Sequence, residues 1–221
     1  MFPLRDTQPS YSKPVVTVLL IVVNILVFLF EFSLDPESQN AFVDYYALFP
    51  DHFRFLSVLT SMFLHGGWMH VLGNMWFLWI FGDNIEDILG HGKFLLFYLA
   101  CGVAAGLAQV AVSSGSHVPM VGASGAIAGV MGAYMAKFPH SRILTLFTPL
   151  FFFVTEVPAW LMLVYWFGLQ FLSGVGSLGS SQASQGGVAF FAHIGGFVAG
   201  IVLINLMGPR ERYLRRRDLY W

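Results

Sequence analysis

Six apolar runs, at about 15–32, 66–82, 93–112, 122–136, 157–173 and 188–207, take up roughly half of this 221-residue chain. A helix needs about 20 apolar residues to cross a bilayer, so the runs predict six spans joined by short loops. Only 10% of the residues are charged, too few to cover the surface of a soluble globule of this size. The expected fold is therefore an all-α membrane protein. High hydrophobicity excludes a disordered chain. A formal net charge of -1 supplies no basic face, so no nucleic-acid partner is expected. The single cysteine, Cys101, excludes an intramolecular disulfide and a multi-cysteine metal cage. It reads as a packing residue.

The organisation reads as a short polar segment (1–14), a six-helix membrane domain (15–207) and a basic tail (208–221). The start of the chain has no signal-peptide pattern, so the first run reads as a retained span. With the N-terminus cytoplasmic, Arg5, Lys13, Lys93, Lys137, Arg142, Arg210, Arg212, Arg215, Arg216 and Arg217 fall inside and Arg54 alone outside. That asymmetry places both termini in the cytoplasm, for a multi-pass protein of the plasma (inner) membrane. The tail RERYLRRR reads as a topology anchor that touches anionic membrane lipid. The first outer loop, about 33–65, mixes acids with aromatics and suits the membrane interface. The uncharged stretch SGVGSLGSSQASQGG before the last span reads as a mobile cap or a linker.

Strongly polar groups inside spans are costly and ask for a role. Here they are Asn24, His70, Asn74, Ser124, Gln170 and His193. Asn24 and Gln170 read as lone amides that bond between helices. Ser124 opens GASGAIAGVMGAY, where Gly125 and Gly129 form a small-residue packing pair. Ser124 stands thirteen residues from Lys137, about 20 Å of helix against a core of about 30 Å. It therefore lies about 10 Å below the outer face, at the start of a half-length helix. The preceding SHVPMVG must enter non-helically, which requires a protein-buried path or a wet cavity.

His70 and Asn74 share one face of the second span, and His70 is thirteen residues above Asp83, level with Ser124. His193 reaches a similar level on the sixth span. Gly196 and Gly200 below it let that helix approach the glycine-rich fourth one, which places His193 beside Ser124. A serine beside a histidine is a nucleophile and general-base pair. Free N–H groups at the start of the Ser124 helix, with His70 and Asn74, can supply an oxyanion site. The nearest carboxylate, Glu156, is at the wrong depth, so a dyad without an acid is expected. No His-Glu pair suggests a zinc protease, and Asp83 is a single carboxylate at a helix end, so neither a metal nor a di-aspartyl mechanism is expected. No inverted repeat suggests a transporter.

Three stretches together resemble the rhomboid family of intramembrane serine proteases: TSMFLHGGWMHVLGNMWFLWIFGDNIED (60–87), GASGAIAGVMGAY (122–134) and GGVAFFAHIGGFVAG (186–200), with VPAWLMLVYWFGLQ (157–170) between the last two. The similarity runs from about Tyr45 to Gly200. It implies Ser124 as nucleophile, His193 as base, and His70, Asn74 and the Ser124 N–H as oxyanion donors, with Gly122, Gly125, Gly129, Gly196 and Gly200 packed around them. It also implies a six-helix rhomboid-like bundle, a first loop embedded in the membrane, a fifth helix and cap loop that gate access, no cofactor, and single-span transmembrane proteins as substrates. Two positions depart from the family. Leu56-Ser57 stands where many members carry Trp-Arg, leaving Arg54 as the nearest arginine. Ala128 stands where some members stack a tyrosine on the base histidine, so the His193 ring is expected to rest on Trp76, Phe190 or Phe191 instead. A non-catalytic rhomboid-like client binder and a small-solute channel or transporter are the alternative readings. The sequence sets no oligomeric state.

Overall fold

The computed structural model describes residues 1–147, 153–177 and 189–208. In chain order the elements are β1 (Phe2–Asp6), α1 (Val15–Ser33), α2 (Pro36–Tyr46), α3 (Phe55–Thr60), α4 (Trp68–Leu89), α5 (His91–Val112), α6 (Ser124–Lys137), β2 (Arg142–Phe147), β3 (Phe153–Pro158), α7 (Ala159–Ser177) and α8 (Phe190–Met207). The six expected runs are thus helices α1, α4, α5, α6, α7 and α8, in a multi-span membrane bundle. By length and composition α1, α5 and α8 can each cross a bilayer, and α3 with α4 can form a fourth span bent by 89°. On α1, Val18, Leu19, Val22, Leu26 and Phe30 are exposed while Leu20 and Phe28 are buried. An apolar face that wide is a lipid-facing surface.

At the centre of the bundle is α6, buried without a break from Gly125 to Tyr134. Its 14 residues reach about 21 Å, short of a full span. Glycines set its distance to α8. A Cβ at Gly196 would overlap the Gly125 carbonyl oxygen, and one at Gly200 would overlap that of Gly129. On the opposite side a Cβ at Gly125 would meet Ala105 and one at Gly129 would meet Cys101, both on α5. Backbone therefore lies against backbone, where dispersion and weak contacts replace the hydrophobic effect.

One end of the bundle carries a sheet that the reading of apolar runs does not foresee. Its order is β1-β2-β3, antiparallel throughout. β2 and β3 are six-residue segments rich in Ile, Leu, Thr, Val and Phe, which suit a pleated surface. Glu156 lies in β3 opposite Leu144 and forms a loose 3.8 Å ion pair with Arg142. The polar N-terminal segment is held at this end. Trp76 donates its indole N–H to the Pro3 carbonyl, and Asp6 accepts from the Tyr134 hydroxyl and the Asn84 amide.

Helix α4 runs to Leu89, beyond the expected boundary at 82, so Asp83, Glu86 and Asp87 are helical. The extension has a use. α1 has no side-chain cap of its own, and the buried Glu86 carboxylate accepts from the Val16 and Thr17 N–H groups at 2.9 and 2.8 Å and from the Thr17 hydroxyl at 2.7 Å. A carboxylate there satisfies orphan donors and the positive end of the helix dipole. The reading of Asn24 changes: its amide donates to Leu20 of its own helix, not across helices.

The opposite end carries the first loop, folded as α2 and α3. Asp35 caps α2 by accepting from the Glu37 and Ser38 N–H groups. Arg54 braces the loop in place of the absent Trp-Arg pair. Its guanidinium donates to the Asp44 and Tyr45 carbonyls at 2.8 and 2.6 Å and lies 5.2 Å from the Tyr45 ring centroid. The stretch SGVGSLGSSQASQGG, expected as a cap or linker, begins as helix, since residues 173–177 continue α7; its remainder from 178 and the basic tail from 209 lie outside the described residues.

Candidate active site

The segment before α6 enters the bundle as extended chain, and its backbone groups are satisfied by protein. Met120 pairs with Leu48 through bonds of 2.8 and 3.1 Å, and the Gly122 N–H donates 2.8 Å to the Ser61 carbonyl. Gly122 has φ +119°, a conformation that only glycine adopts readily. This turn delivers Ser124 as the first residue of α6, where N–H groups have no partner within the helix.

Ser124 meets His193. The Ser124 Oγ and His193 Nε2 are 2.7 Å apart. His193 Nδ1 is 2.7 Å from Gln170 Oε1 on α7. A carbonyl oxygen can only accept, so Nδ1 carries the ring proton and Nε2 is free to accept from the serine. The Trp166 ring packs beside the imidazole, centroids 5.7 Å apart and tilted by 41°. The histidine is thus fixed by two residues of one helix. The expectation for the ring is corrected here, because Trp76 is spent at the sheet end, stacked on Phe2 and bonded to Pro3. Trp166 supplies the ring contact instead.

His70 and Asn74 converge on Gly122. A Cβ placed at Gly122 would lie 2.7 Å from His70 Nε2 and 3.5 Å from Asn74 Nδ2. The Gly66 N–H makes a long 3.4 Å bond to His70 Nδ1, which leaves the proton on Nε2, facing the glycine. Asn74 Nδ2 is buried and, among the described residues, without a hydrogen-bond partner. An unpaired buried donor is costly, and an acceptor brought by a ligand can pair with it. Ser124, His193, His70 and Asn74 are therefore brought together, and all five predicted glycines lie against them or between their helices.

Gln170 and Trp166 are the site residues that sequence reasoning does not place. Gln170 does bond between helices, as expected, but its partner is His193. The available signal is depth: Gln170 lies eleven residues beyond the start of α7, about 16 Å along it, close to the level of Ser124 on α6. Among the described residues no three His, Cys, Asp or Glu side chains are grouped to hold a metal ion. A serine hydroxyl bonded to an oriented imidazole, with unpaired donors nearby, can perform nucleophilic acyl transfer.

The family profile described as "Rhomboid domain" matches residues 52–210. The chain belongs to the rhomboid family. Among curated proteins it is 35% identical over 121 residues to the human presenilin-associated rhomboid-like protein, mitochondrial, covering 53% of this chain and 32% of that protein. It is 31% identical over 156 residues to Rhomboid protein 1, mitochondrial, of Saccharomyces cerevisiae, covering 66% and 40%. It is 29% identical over 201 residues to the rhomboid protease GluP of Bacillus subtilis, covering 89% and 36%. The chain thus spans less than half the length of each of these relatives.

Proposed function

We propose that the chain is an intramembrane serine endopeptidase working through a Ser124–His193 dyad. The observation that carries this reading is the 2.7 Å approach of Ser124 Oγ to a His193 nitrogen left unprotonated by the bond to Gln170. In the proposed reaction His193 Nε2 takes the hydroxyl proton as Ser124 Oγ bonds to the scissile carbonyl carbon. The oxyanion that forms accepts from His70 Nε2–H, Asn74 Nδ2–H and the Ser124 N–H. Collapse breaks the C–N bond, and His193 gives its proton to the leaving amine. Water, activated by the same histidine, then hydrolyses the acyl-serine and restores the hydroxyl. The GluP likeness supports protease chemistry.

The substrates proposed are single-span proteins with an outer N-terminus, cut near the outer end of the span after a small residue such as Ala. Such a segment must lose helical hydrogen bonds before reaching Ser124, so helix-weak residues favour cleavage by about 1–3 kcal/mol each relative to Ala. We place the protein in the plasma membrane with both termini cytoplasmic, on the ten-to-one split of Lys and Arg. An impermeant thiol reagent applied to intact cells should label Ser38→Cys and not Ser141→Cys; the reverse pattern inverts the protein. The test of function is co-expression with tagged single-span proteins. Cleavage that disappears in Ser124→Ala supports the reading, and cleavage that persists overturns it.

A further inference from the structure

Beneath the first loop lies a cavity of about 440 Å³, between α1, α2 and the start of α4. Its lining combines two carboxylates, Glu31 and Asp44, with the aromatic side chains of Phe28, Phe32 and Trp68 and the ring of His65. The aromatics form one cluster, with the Trp68 ring 5.0 Å from Phe28 and 5.4 Å from Phe32 in edge-on contacts. Glu31 is 4% exposed, and among the described residues the one hydrogen bond to its carboxylate is a long 3.3 Å bond from the His65 N–H. Among the described residues neither Glu31 nor Asp44 forms an ion pair. The nearby Arg54 spends its guanidinium on main-chain carbonyls. His65 is 1% exposed, and both of its ring nitrogens are buried with no hydrogen-bond partner among the described residues.

A buried carboxylate with no counter-ion and an imidazole with no partner are expensive to maintain. Aromatic faces attract cations, with the largest effect where water is excluded. We propose that this cavity is a binding site for an ammonium-type cation, held by Glu31 and Asp44 against Phe28, Phe32 and Trp68, with a His65 nitrogen accepting one N–H. The first loop suits the membrane interface, so the proposed occupant is the headgroup amine of a zwitterionic lipid; a lysine flanking a docked transmembrane segment is the competing outcome of the test. The inference does not depend on proteolysis. It touches the proposed active site through His65, whose ring lies 5.1 Å from that of His70.

The test uses the full-length protein carrying Ser124→Ala, so that bound peptide stays intact. One arm measures thermal unfolding in micelles titrated with phosphatidylethanolamine or, as the control, phosphatidylglycerol. The other measures, by fluorescence anisotropy, affinity for a labelled single-span peptide with Lys or Gln at its outer flank. Each arm is repeated with Glu31→Gln and with Asp44→Asn. The second variant lies on the exposed rim and decides the matter if the first does not fold. A saturable stabilisation by phosphatidylethanolamine that weakens about tenfold in Glu31→Gln, and measurably in Asp44→Asn, assigns the site to lipid. The same loss confined to the Lys peptide overturns the assignment to lipid. If neither ligand distinguishes the parent from the variants that fold, the proposal is overturned.

Discussion

Gln170 Oε1 and His193 Nδ1 are 2.7 Å apart, a bond that joins α7 to α8 and sets which imidazole nitrogen faces Ser124. Where an acidic residue would complete a triad, this chain places a neutral amide. The amide can orient the ring and accept from the imidazolium without adding a charge to a low-dielectric site. Gln170→Ala should therefore lower kcat about 10–100-fold with KM little changed, the worth of one hydrogen bond to a charged group. Gln170→Glu should recover part of that loss, because a carboxylate accepts the same N–H. Steady-state kinetics on a transmembrane substrate checks both. Equal activity of all three proteins would reduce Gln170 to a packing residue.

The donors around Gly122 make a separate prediction. Asn74→Ala and His70→Ala should each reduce turnover about 10²–10³-fold while the protein stays folded. Among the described residues Asn74 Nδ2 has no partner, so its loss breaks no hydrogen bond of that donor there. A stability drop without a rate loss in Asn74→Ala would show that the amide serves structure alone.

The approach of α6 to α8 is tested at Gly200. Alanine there would drive Cβ into the Gly129 carbonyl, so the helices must separate and the Ser124–His193 distance must grow. The expected cost is about 1–3 kcal/mol of stability, accompanied by lost activity. Gly168→Ala on α7 is the control, since its Cβ would meet nothing within 4 Å among the described residues. The two variants should differ clearly in thermal unfolding of the purified protein. Identical midpoints would contradict the backbone-to-backbone packing.

Asp6 provides a pH-dependent term at the sheet end. Burial pushes its carboxyl up from 3.8 to about 6; the Tyr134 hydroxyl bond opposes the rise and the Asp83 carboxylate adds to it. The folded state therefore binds this proton more tightly than the unfolded state. Its stabilising effect is full below pH about 4, declines as pH rises to about 6, and changes no further above that. Asp6→Asn keeps an acceptor for Tyr134 and Asn84 and removes the titration. Its unfolding midpoint should lack that part of the decline and exceed the wild-type value at pH 7. Parallel pH profiles for the two proteins would refute the assignment.

Much of the bundle is legible in the sequence because a bilayer enforces long apolar runs, and six of them can be counted. The juxtaposition of Ser124 and His193 is legible too, since helix rise converts residue number into depth and Gly196 and Gly200 mark the face that must approach α6. The sheet is not, because β2 and β3 are short and their apolar residues merge with the run that begins α7. Glu86 as the cap of α1 is equally hidden: a helix N-terminus without its own capping side chain does not reveal which distant carboxylate serves it. Gln170 carries a depth signal, but one amide among many apolar residues does not announce its partner. Trp166 carries none, because exposed and site-facing tryptophans look alike in an apolar span.

The most direct test of the central claim is covalent trapping of the serine. A fluorescent fluorophosphonate added to purified protein in micelles should label Ser124, with mass spectrometry of the digested protein locating the adduct on that residue. Labelling should vanish in Ser124→Ala, fall to background in His193→Ala, and slow in Gln170→Ala. Absent labelling of a folded wild-type protein, or an equal rate in His193→Ala, would contradict a serine activated by this histidine.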